Sequence, residues 1–140
     1  MEARRTELAK HVAGLRDWHC AFTVTFRDRY LSPHGAVGRL HQALADVGKL
    51  LHGVDYVAML ELHADGRPHF HGLMHSGREL SNPMRSAMRR ILRSQCGHES
   101  ILKLRHADDR LAAAFYTLKT FDEAPPEFLI VSRGLRRHRG

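Results

Sequence analysis

His69 and His71 stand two positions apart in the run Glu61-Leu62-His63-Ala64-Asp65-Gly66-Arg67-Pro68-His69-Phe70-His71. Imidazole is the commonest transition-metal ligand, and on an extended strand residues i and i+2 leave the same face. The pair alone is weak evidence, because 12 histidines in 140 residues make about one His-x-His expected by composition. The turn between Glu61 and His69 strengthens it. A two-residue Asp65-Gly66 turn would set residue 61 opposite 70 and put Glu61 on the face away from both histidines. A three-residue Ala64-Asp65-Gly66 loop, with Gly66 left-handed in a bulge, sets 63 opposite 67, 61 opposite 69 and 59 opposite 71. That register gathers Tyr56, Ala58, Leu60, Leu62, Phe70 and Met74 on one face and Glu61, His63, His69, His71 and His75 on the other. The shorter turn mixes Phe70 with Glu61 and His69 with Leu62, which buries polar groups to no purpose. The three-residue loop is therefore expected. It yields a divalent-metal site of Glu61, His69 and His71, with open positions for substrate oxygens. His63 and His75 are expected to support the site or lie at the surface.

Tyr116 and Lys119 lie at i and i+3 of a predicted helix and so share a face. A phenol with a pKa of about 10 needs help to act as a nucleophile at neutral pH. A neighbouring ammonium favours both the phenolate and the charge of a phosphoryl transition state. The ordinary alternative is a boundary tyrosine with a wet hydroxyl. Tyr30 is followed at i+3 by Pro33 and Tyr56 by Met59, so Tyr116 is the only tyrosine with a lysine there.

These groups need a scaffold. Residues 2–19 read as a helix with Leu8, Val12, Leu15 and Trp18 on one side. Residues 21–27 alternate as a strand, Phe22, Val24 and Phe26 facing one way and Thr23, Thr25 and Arg27 the other. Ser32-Pro33 opens a helix toward Gly53 with Val37, Leu40, Leu44, Val47 and Leu51 inward. The hairpin occupies residues 56–63 and 67–75. Asn82-Pro83 opens a helix to about Gln95 with Met84, Met88, Ile91 and Leu92 inward. Residues 100–105 read as a strand, and Asp108 or Asp109 as the cap of a helix running to about Thr120, with Leu111, Phe115 and Leu118 on its apolar stripe. A last strand is expected at 128–131. The expected fold is α+β, a central antiparallel sheet with helices packed against it. One domain is expected over 1–132, followed by a mobile basic tail over 133–140.

The chain then resembles the HUH endonucleases, specifically the single-tyrosine rolling-circle replication initiators of phages and plasmids. Phe22-Thr23-Val24-Thr25-Phe26 resembles the family's first motif, His69-Phe70-His71 its two-histidine motif and Tyr116-Thr117-Leu118-Lys119 its Tyr-x-x-Lys motif, in the expected order over roughly residues 20–120. The resemblance implies a ferredoxin/RRM-like nuclease fold and Glu61 as third metal ligand. It also implies a metal-dependent nick in single-stranded DNA at an origin or hairpin, a 5′-phosphotyrosyl link to Tyr116 and a free 3′-hydroxyl. No helicase domain follows, so unwinding is expected from a partner such as a host helicase, unless the chain is the nuclease part of a longer protein. Mn²⁺ or Mg²⁺ is the expected ion. Single-tyrosine transposases share the site design and remain an alternative. So do a non-catalytic single-stranded nucleic-acid-binding module and a phosphodiesterase that uses water.

Charge fits a polyanionic partner. Lys and Arg number 22 against 15 Asp and Glu, a net +7. Arg85, Arg89 and Arg93 recur at i, i+4 and i+8 with no acid between residues 80 and 95, and are expected to contact phosphates, with Thr23, Thr25, Arg27 and Arg67 edging the site. No run approaches the ~20 apolar residues of a membrane span, and the charged N-terminus is unlike a signal peptide. Two cysteines are too few for a disulfide framework, so a reducing cytoplasm is the expected compartment, which the resemblance implies to be that of a bacterial host. The chain carries no G-x-x-x-x-G-K-[ST] and has no room for a motor domain.

Overall fold

The computed structural model describes residues 2–62 and 66–137. The elements are α1 (Glu2–Leu15), β1 (Cys20–Phe26), α2 (Pro33–Leu50), β2 (Val54–Leu62), β3 (Pro68–Ser76), α3 (Asn82–Gln95), β4 (Gly97–Lys103), α4 (Ala107–Thr117), a 3₁₀ turn (Pro126–Phe128), β5 (Leu129–Val131) and α5 (Arg133–Arg137). The sheet has five strands in the order β4-β1-β3-β2-β5, every neighbouring pair antiparallel. Within it, β1-α2-β2-β3-α3-β4 forms the split βαβ arrangement of ferredoxin-like folds. β5 then adds to the outer edge of β2.

Local chemistry sets the boundaries. Ser32 caps α2, its Oγ accepting from the Gly35 amide at 3.0 Å, and Pro33 occupies the first turn where its missing N–H costs nothing. α3 repeats the device: it opens at Asn82-Pro83 as expected, and Ser81 caps it through the Met84 amide. α4 differs more. Neither Asp108 nor Asp109 caps it; His106 holds the cap position without a side-chain bond, and both aspartates sit in the first turn, where they complement the helix dipole. α4 also ends at Thr117, so Lys119 lies in the following turn, its amide donating to the Tyr116 carbonyl at 3.3 Å.

Both faces of the sheet are covered. Phe22, Val24 and Phe26 join Tyr56, Ala58, Leu60, Phe70 and Met74 against α2 and α3, which contribute Leu40, Leu44, Val47, Met88 and Leu92. The opposite face is not wholly polar, as the hairpin pattern alone implied. Val57 and Leu73 pack there with Ala9 and Val12 of α1, Ala114 of α4, Trp18, Leu118 and Leu135. Trp18 lies beyond the end of α1, which stops short of residue 19, and turns its indole back to donate to the Val12 carbonyl at 2.8 Å. Leu62 departs from the expected core face and is 48% exposed at the hairpin end. The tail also begins later than expected. Residues 133–137 form α5, with Leu135 buried in the second core, and 138–140 lie outside the described residues.

Gly72 sits opposite Phe22 across the β1–β3 pair, and a Cβ there would come within 2.4 Å of Phe22 Cζ. Phe22 is buried and has nowhere to retreat. Gly72→Ala is expected to destabilise the protein by about 1–3 kcal/mol, read as a lower urea midpoint with unchanged slope.

Candidate metal and nucleophile site

Glu61, His69 and His71 come from the β2–β3 ladder, whose register pairs Glu61 with His69, Met59 with His71 and Leu62 with Pro68. Gly66 has φ +83°, the left-handed conformation that the three-residue loop requires. His63, Ala64 and Asp65 lie outside the described residues. Glu61 Oε2 is 3.3 Å from His71 Nε2 and Oε1 is 3.7 Å from His69 Nε2. The two imidazoles meet edge to face, 5.0 Å between centroids. Both histidines are buried, and the Glu61 side chain is 13% exposed.

These three residues form a group able to hold a metal ion, with one donor atom from each within 4.8 Å of the others. At metal–ligand distances of about 2.0–2.2 Å, ligands on one side of an ion lie about 3 Å apart, so small rotations close the cluster. The donor set, one carboxylate and two imidazoles, suits a divalent first-row ion and leaves half of an octahedron for other ligands. Thr23 Oγ1 lies 3.1 Å from His71 Nδ1, which turns Nε2 toward Glu61. Thr23 was expected only at the edge of a nucleic-acid surface; its position on the strand facing His71 gives it an orienting role.

Tyr116 and Lys119 arrive from α4 and the turn after it. Phe115 and Leu118 pack into the second core, and Tyr116 is left 52% exposed over the cluster. Its ring stands edge to face with His71, 4.7 Å between centroids. Lys119 Nζ is 4.4 Å from the centre of the Tyr116 ring and 3.9 Å from Glu61 Oε1. The ammonium therefore lies both over the Tyr116 ring and beside the Glu61 carboxylate.

The other expected site residues divide. Thr25 pairs with His69 from β1 and keeps to the site face, and Arg67 stands half-buried just before β3. Arg27 leaves the site: its guanidinium donates to the Arg93 carbonyl, placing a cation at the C-terminal end of α3. Arg85, Arg89 and Arg93 belong to α3, which packs on the sheet face opposite the metal cluster. Two of them are tied down. Glu99 Oε1 accepts from Arg89 Nε at 3.0 Å and from Arg93 at 2.8 Å, and Oε2 accepts from Arg93 Nε at 3.1 Å. The acid absent from α3 is supplied by β4. Arg85 lies near Cys20, opposing the burial that pushes that thiol up to about 12. His75 is remote from the cluster, at the far end of β3, where it stacks on His19 at 4.5 Å and meets the Asp17 carbonyl.

No family model, curated protein or solved structure matches this chain.

Two expectations follow. Calorimetric titration with Mn²⁺ is expected to show one site that vanishes in His69→Ala/His71→Ala, while Thr23→Val weakens it about 10–100-fold. The Arg93 pair holds the Glu99 carboxyl below its ordinary 4.5. The pair therefore stabilises the fold fully above that pH and is lost as pH falls through the lowered value. Glu99→Gln is expected to lower the melting temperature at pH 7 and to erase much of that difference at pH 3.

Proposed function

We propose that this protein is a metal-dependent single-stranded-DNA endonuclease and strand transferase of the single-tyrosine HUH type, acting as a rolling-circle replication initiator. The observation that carries the reading is the convergence of Tyr116 and Lys119 on Glu61, His69 and His71. Two motifs distant in the chain meet with a phenol ring 4.7 Å from a metal-ligating imidazole. A structural boundary tyrosine has no need of a lysine and a three-ligand cluster beneath it.

A divalent ion held by Glu61, His69 and His71 would polarise a scissile phosphate and offset its charge. The chain's own groups supply the rest. Thr23 holds His71 in the ligating orientation. Tyr116 gives its proton to solvent as it attacks, and Lys119 faces the charge that develops on the phosphoryl oxygens. Tyr116 Oη attacks phosphorus in line, forming the Oη–P bond as the P–O3′ bond breaks. The departing 3′ oxygen takes a proton and becomes a hydroxyl, and the 5′ phosphate stays on the tyrosine. One phosphodiester replaces another, so a 3′-hydroxyl can reverse the step without nucleotide hydrolysis. Unwinding would fall to a host helicase. Among the described residues no helix is long and apolar enough to cross a membrane.

The test is incubation with random single-stranded oligonucleotides and Mn²⁺, followed by a denaturing gel and mass spectrometry of the proteolysed adduct. Nucleotide is expected on the Tyr116 peptide alone. Tyr116→Phe should abolish adduct and nicking while leaving the fold and Mn²⁺ binding intact, and Lys119→Ala should slow both. Nicking without an adduct would assign water as the nucleophile. Binding without nicking would make the protein a non-catalytic module.

A further inference from the structure

A groove of about 480 Å³ runs from the metal cluster toward the edge of the sheet. One end is formed by Thr23, His71 and Tyr116. It exists because α4 packs over β3 and α1 and leaves the β1–β4 edge of that face uncovered. Ser100 and Leu102 face the same way there as their β1 partners Thr23 and Ala21. Leu102 is 65% exposed, an apolar side chain on open sheet. Opposite it, Ala112 stands on α4 one turn before Tyr116, exposed and lining the same groove. The walls are thus small and aliphatic, with the Ser100 hydroxyl on the β4 side, the exposed Asp109 carboxylate on the α4 side and buried Thr117 beneath Tyr116. The volume falls in the range of about 300–1,000 Å³ usual for small-ligand sites.

We propose that this groove is a slot for an unpaired nucleobase beside the phosphate held between Tyr116 and the Glu61–His69–His71 cluster. The inference rests on the nuclease reading for that phosphate's position. A nucleobase is flat, with weakly polar faces and hydrogen-bonding edges, which matches aliphatic walls flanked by the Ser100 hydroxyl and by the Asp109 carboxylate, an acceptor for a base amino group. The bases of a duplex are stacked on one another and cannot enter. The slot therefore makes single-strandedness a condition of productive binding, independent of sequence. The net charge of +7 draws in any polyanion, duplex included, so that discrimination must come from a contact to the bases rather than to the backbone.

The experiment compares two fluorescent probes by anisotropy in metal-free buffer. One is a 20-nucleotide random single-stranded pool; the other is a chain of 20 abasic deoxyribose phosphates with the same charge. Wild-type protein is expected to prefer the base-bearing pool about tenfold or more, as base contacts in single-strand sites do. Ala112→Trp fills the groove from an exposed position without entering the core. It should keep its affinity for the abasic chain and lose at least threefold of the preference. Leu102→Ser, also at an exposed position, should reduce it by removing the opposite wall. Equal affinity of the wild type for both probes, or an unchanged preference in Ala112→Trp, overturns the slot. So does a wild-type dimer that Ala112→Trp converts to monomer with its preference intact, which would give the groove to a second copy of the chain. Adduct formation with Mn²⁺ is scored on the same pool. Adduct with a groove-independent preference refutes the slot and leaves the nuclease standing. A groove-dependent preference with no adduct refutes the nuclease and leaves the slot.

Discussion

The pairing of Glu61 with His69 across the β2–β3 ladder is the constraint on which the rest depends. Side chains alternate along a strand, so a slip of one residue would exchange every face of the hairpin. Phe70 would turn into the polar cluster, and Glu61 into the core beneath α2. Gly66, just before β3, has a left-handed backbone that a side chain would strain. Core and cluster thus depend on the same register. The burial of Phe70, Leu60 and Ala58 stabilises the register that puts a carboxylate between two imidazoles.

A second layer makes the cluster more than a polar patch on a sheet. α1 and α4 bury Val57 and Leu73 on the face that also carries Glu61, His69 and His71. The cover is incomplete at the β4 edge. α4 uses Ala114 and Phe115, with Leu118 just beyond it, as its anchor, and the neighbouring Tyr116 is thereby carried to the rim. A tyrosine at this boundary is held by its helix and exposed at its ring. The same partial cover leaves the groove beside it.

Electrostatics separates the two sides of the sheet. On the α2–α3 side, Arg89 and Arg93 close on Glu99, whose side chain is only 3% exposed, and Arg27 reaches the end of α3. These charges hold the strand edge and the helix together. On the other side Lys119 stands 3.9 Å from Glu61, a cation beside a buried acid with two neighbouring imidazoles. An ion entering the cluster would share Glu61 with that ammonium.

The sequence by itself determined most strand and helix types, the hairpin register and the grouping of Glu61 with His69 and His71. Each is local or nearly so. Period-two alternation in residues 21–27, helical spacing in α2 and α3, and a loop length arbitrated by apolar pattern all act over a few residues. Tyr116 and Lys119 were also legible as a pair, although the helix reasoning behind their shared face was not how they meet; α4 stops at Thr117 and a turn brings Lys119 back over the ring. Only the tertiary structure decided what crosses between distant elements. It set Thr23 against His71 and assigned Glu99 to the arginines of α3. It also buried Leu135 from a segment that reads as tail, and left Leu102 uncovered. The physical reason is that composition and periodicity record which face of an element is apolar, but not which other element will cover it. A run of arginines looks the same in sequence whether its counter-ion is a phosphate or a glutamate on the next strand.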